Sequence, residues 1–134
     1  MAFTTTTLSN PVGAAIYIDS DANATVEVIA TSAKTAYQLY INNSGNDAPC
    51  WVRLHNNTAA TPGTTEEDFK FYAPASSAIS YVIPTGLGFS AGVCAWATAA
   101  GTTVSNNVSS TTTGKAVGDT TAPVNSVEIR LHTS

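Results

Sequence analysis

The sequence predicts an all-β domain, a two-sheet antiparallel β-sandwich of about eight strands with jelly-roll or Ig-like connections. Short stretches alternate apolar and polar residues with period two. Clusters of Gly, Pro, Asn, Asp and Ser separate these stretches. Nowhere do apolar residues recur at three-and-four spacing over two turns, as an amphipathic helix requires. The 134 residues are enough to enclose one hydrophobic core but not two, so residues 1–134 read as a single domain.

Residues 1–12 are threonine-rich, hold little to bury and read as an extended arm that orders against a neighbour. Residues 14–18 and 25–31 alternate on either side of the turn cluster Asp19-Ser20-Asp21-Ala22-Asn23, which predicts a first hairpin. In 36–42, Tyr37, Leu39 and Ile41 share one face, with Gln38 and Tyr40 on the other. In 50–55, Val52 and Leu54 point to the core, opposite Trp51, Arg53 and His55. Strands follow at 69–73 and 78–83 around Pro74-Ala75-Ser76-Ser77, with Ile79, Tyr81 and Ile83 on one face. The turn Gly86-Leu87-Gly88-Phe89, whose Phe89 can plug the end of the sandwich, leads into 92–98, where Val93, Ala95 and Ala97 oppose Cys94 and Trp96. Residues 99–124 form a Ser/Thr-rich loop longer than an ordinary connection. The closing strand, 126–133, alternates Val127, Ile129 and Leu131 with Glu128, Arg130 and His132.

Charged residues make up 10% of the chain, against about 25% in an average protein. Threonine and serine supply about a quarter of it. Such a surface is polar through hydroxyls and amides, which lose less on burial than ions do, and it suits packing against many copies of a neighbour. The net charge of −4 and the scatter of the five basic residues argue against a nucleic-acid partner. No apolar run approaches the roughly 20 residues of a helical span, so no membrane is expected. Met1-Ala2-Phe3-Thr4 reads as an unprocessed start.

Catalytic signals are weak, and the expectation is no enzyme and no cofactor. Cys50 and Cys94 lack metal-site spacing and read as buried, with a bond between neighbouring strands as the alternative. His55 and His132 read as solvated, unless His55 sits in a cleft against a carboxylate. No serine lies in a nucleophile elbow, and Glu66-Glu67-Asp68 reads as a solvated acidic run. Asp19, Asp21 and Asn23 begin like a calcium loop, but Ala24 and Ala30 stand where Gly and Glu belong, so no metal is expected and an Asx-rich turn is. Trp51, Tyr72 and Trp96 complete a core or a subunit interface, or else form a carbohydrate platform.

Five segments together resemble small virion proteins of tailed bacteriophages. They are Tyr37-Gln38-Leu39-Tyr40-Ile41-Asn42-Asn43, Trp51-Val52-Arg53-Leu54-His55, Thr61-Pro62-Gly63-Thr64, Tyr72-Ala73-Pro74-Ala75 and the Pro84 to Gly92 turn. The resemblance implies a β-sandwich that decorates a capsid or belongs to a tail, collar or fibre. It implies the major capsid protein or other virion proteins as partners, a homo-oligomer with a trimer favoured, and a place in the virion after assembly in the host cytoplasm. Phe3, Leu8, Pro11, Trp51 and Trp96 are the candidate interface residues, and a carbohydrate-binding or host-adhesion module is the alternative of another class.

Overall fold

The computed structural model describes residues 3–7, 15–99 and 120–134. Among the described residues there are nine strands: β1 (Thr4–Thr7), β2 (Ala15–Ala22), β3 (Glu27–Ala30), β4 (Lys34–Asn42), β5 (Cys50–His55), β6 (Phe69–Ala73), β7 (Ala78–Phe89), β8 (Val93–Thr98) and β9 (Val127–Thr133). All pairings are antiparallel. One sheet runs β1-β2-β9-β4-β7 and the other β3-β8-β5-β6. Setting β1 aside, the order β2-β9-β4-β7 facing β3-β8-β5-β6 is the two-sheet jelly roll.

The core is where the inner faces of the two sheets meet. Leu39, Ile41, Val127, Ile129 and Leu131 from the first sheet pack on Val52, Leu54, Val93, Ala95 and Ala97 from the second. Each fully buried Val, Leu or Ile contributes about 1.5–3 kcal/mol of transfer free energy. Phe89 is 1% exposed and meets Phe69 edge-on at 5.5 Å within this core.

Jelly-roll connectivity corrects the expected first hairpin. β2 and β3 lie in different sheets. The Asn23 side chain accepts from the Thr25 amide in an Asx turn, while the Asn23 carbonyl accepts from the Ala97 amide of β8. The chain leaving β2 is thereby taken up by the second sheet. The arm expected over residues 1–12 is corrected in part, because Thr4–Thr7 pairs with Ile18–Ala15 of the same chain and Phe3 packs against the core. Threonine suits such an edge, since its branched side chain fits a half-exposed pleat. Tyr37 leaves the face of Leu39 because a β-bulge falls between Ala36 and Gln38 against both neighbouring strands, which turns Tyr37 outward.

Two clusters of loop contacts hold the ends. At one, Asn43 and Asn46 are buried. Asn43 Nδ2 donates to the carbonyls of Ala48 and Pro74, and Asn46 Nδ2 donates to Asn43 Oδ1 and the Asn125 carbonyl. Three crossover loops are thus joined by amides whose hydrogen-bonding groups are paired. At the other end Asn56 ties two loops, donating to Ser90 and accepting from the Ala91 amide. Gly92 has φ of 118°, and a Cβ there would lie 2.7 Å from the Ala30 carbonyl oxygen, so only glycine fits.

Candidate functional site

The outer face of the β3-β8-β5-β6 sheet gathers most of the chain's chemically interesting side chains. Register places Arg53 beside Trp96 and Lys70, Trp51 beside Thr98 and Tyr72, and His55 beside Cys94. Period-two alternation in β5 predicts this face correctly. It does not predict that the face is covered, and Arg53, Cys94, Trp96 and Thr98 are all buried.

Residues 56–68, between β5 and β6, run across this face as a strap. Arg53 Nη1 lies 2.7 Å from Glu67 Oε1, with side chains 0% and 9% exposed, and Arg53 Nε donates to Thr98 Oγ1 at 3.0 Å. Lys70 Nζ lies 3.8 Å from the same Glu67 oxygen. The acidic run expected to be solvated therefore supplies a buried ion pair. Glu67 Oε2 and Trp96 Nε1 are buried without a hydrogen-bond partner among the described residues.

His55 also departs from expectation. It sits against a carboxylate, with Nδ1 2.8 Å from Asp68 Oδ2 at ion-pair distance though outside hydrogen-bond geometry. Thr65, Glu66, Glu67 and Asp68 join it around an open cleft of about 570 Å³. Asp68, His55 and Cys94 thus follow in the order of carboxylate, imidazole and thiol that a cysteine nucleophile uses. The thiol does not suit that role. Cys94 is 0% exposed, and burial, helped by the nearby Asp68 charge, pushes its pKa up to about 11, whereas a nucleophile needs it lowered. Cys50 belongs to the inner core and Cys94 to the outer face, so the two thiols are free and on opposite sides of the sheet.

The opposite sheet presents a shallow hollow of about 230 Å³ lined by Ile16, Gln38, Tyr40, Arg130 and His132. The Arg130 guanidinium sits 5.4 Å from the Tyr40 ring centroid and pairs with Glu128 at 2.7 Å. At the edge of this sheet Val82 is 68% exposed.

The candidate interface residues fall in different places. Trp96 is core-like at 1% exposure and is not available at the surface of the monomer. Trp51 is half-buried and meets the exposed Tyr72 ring edge-on at 5.4 Å. Phe3 packs on the core, and Leu8 and Pro11 lie outside the described residues, as does most of the 99–124 loop. Among the described residues no group of three or more His, Cys, Asp or Glu could hold a metal ion, and no helix is long and apolar enough to cross a membrane. Asp19 is buried on the core face, its Oδ1 accepting from the Asp21 amide, so the calcium-like run begins as the irregular end of β2 and turns only at Asn23. Sequence reasoning missed Arg53 and Glu67. The available signal was an arginine set between Val52 and Leu54 with an acidic run downstream.

No protein-family model matches the chain, and no curated protein or solved structure is significantly similar to it.

Proposed function

We propose that the chain is a non-enzymatic virion structural protein, a capsid decoration or cement protein that binds and stabilises the shell of a tailed phage. The observation that carries this reading is the jelly-roll strand order, an architecture that recurs in viral capsid domains. It is an argument from fold analogy, and it joins the family resemblance of the middle segments and the scarcity of surface charge. The major capsid protein is the partner, and a tail, collar or fibre position is the neighbouring alternative. Binding the assembled shell and not its free subunits stabilises it by mass action.

Jelly rolls also serve as lectin domains, and the half-buried Trp51 against the exposed Tyr72 favours a carbohydrate-binding or host-adhesion module as the second reading. Co-sedimentation with phage shells stripped of their small proteins separates the two. Saturable rebinding at a fixed number of copies per shell is the expected result. Indifference to shells together with retention on a glycan array, abolished by Trp51→Ala, would replace the first reading with the second.

A further inference from the structure

Among the described residues four strands edge the two sheets: β1 and β7 in one, β3 and β6 in the other. An edge strand presents unpaired backbone groups that template another strand, and proteins blunt such edges with charge, brevity or cover. β3 is four residues long and carries Glu27. β6 carries Lys70, and the Tyr81 hydroxyl donates to its Tyr72 carbonyl. β1 is four threonines. β7 differs from all three, being twelve residues long with no charge.

The first part of β7 is also regular. Ala78 to Val82 pairs residue by residue with Asn42 to Gln38, and the register breaks only beyond Val82, where Gly86 adopts φ of 77°. Apolar surface concentrates on this side of the sandwich. Val82 is exposed on β7 itself, Tyr37 packs beside Gly86, and Tyr72 lies on the strand that Tyr81 bridges.

We propose that the 78–82 stretch of β7 is a docking edge for a second copy of this chain, strand to strand and antiparallel, about a two-fold axis at Ser80. In that register Ala78 faces Val82 across the axis and Ile79 faces Tyr81, and aromatic with β-branched pairs are favourable cross-strand neighbours. Charge and length together fit a second copy as the occupant. A two-fold contact sets a strand against its own sequence, so Glu27 in β3 or Lys70 in β6 would be brought near its own like charge; β1 and β7 carry none, and β1 is only four residues long. The two five-stranded sheets become one continuous sheet. This contact stands apart from the shell-binding reading, since it needs only the chain itself.

Sedimentation of the full chain tests it. The wild-type chain is expected to dimerise, and Ser80→Glu and Ser80→Lys each to weaken dimerisation about tenfold through like charges directly opposed. Because Ser80 is exposed, both variants should keep the wild-type melting curve at concentrations low enough for the wild type to be monomeric, and an equimolar mixture of the two should recover the dimer. Hydrogen exchange of the wild-type chain gives a readout without substitution, with amides of residues 78–82 slowing as concentration rises. A persistent monomer, a trimer indifferent to both substitutions, or exchange at 78–82 that ignores concentration would overturn the proposal.

Discussion

Asp19 shows how a single side chain can be placed against its preference. It points to the core face opposite Ile129, next to an irregularity in the β2 register. Burial raises its pKa from 3.8 to about 6, and the nearby negative Asp21 and Glu27 push the same way, while the hydrogen bond from the Asp21 amide opposes them. A carboxyl whose folded pKa is raised stabilises the fold fully below its unfolded value, and that contribution is lost as pH rises through about 6. Asp19→Asn is therefore expected to be more stable than wild type by about 2 kcal/mol at pH near 8, and nearly equal to it at pH near 4. Urea denaturation at the two pH values checks this, and an equal difference at both would contradict it. The Asx-turn role of Asn23 was legible, because that chemistry is local. Burial of Asp19 was not, because it depends on where β9 pairs.

The strap shows the same division at the scale of elements. Alternation in β5 is local and correctly sends Val52 and Leu54 inward. Whether the opposite face meets water depends on a segment that folds over it later in the chain, so Arg53, Trp96 and Glu67 could not be assigned from period two. The Arg53–Glu67 pair holds that segment down. Breaking a buried pair from one side costs about 3–5 kcal/mol, whereas replacing both partners by apolar groups is often neutral or better. Glu67→Ala should thus lose about 3 kcal/mol in chemical denaturation, and adding Arg53→Met to Glu67→Leu should recover most of that loss. A double variant no more stable than Glu67→Ala would show that the pair's charges are not what the strap depends on. Strand boundaries at 50–55 and 69–73 were legible from turn residues, while the long β7 was not, because Pro84 and two glycines disguise a strand that resumes after its irregularity.

For the whole molecule, fold class and single-core size followed from pattern and length, but strand order did not. Alternation tells which residues share a face and leaves open which strands are neighbours, so the cluster at 19–23 reads as a hairpin turn, whereas 19–22 continue β2 and the chain crosses to the other sheet beyond it. The jelly roll that results has two broad faces of different character. One is roofed by the strap. The other, among the described residues, holds Ile16, Tyr40, Arg130 and His132 around a shallow hollow, with the uncharged β7 at its rim. On the proposed reading, a small domain with little surface charge uses such a face for repeated contacts within a particle. The most direct test of that account is the temperature at which stripped phage shells release their genome, measured with and without added chain. A saturable rise in that temperature is the predicted result. Shells that release at the same temperature at every concentration of the chain would contradict it.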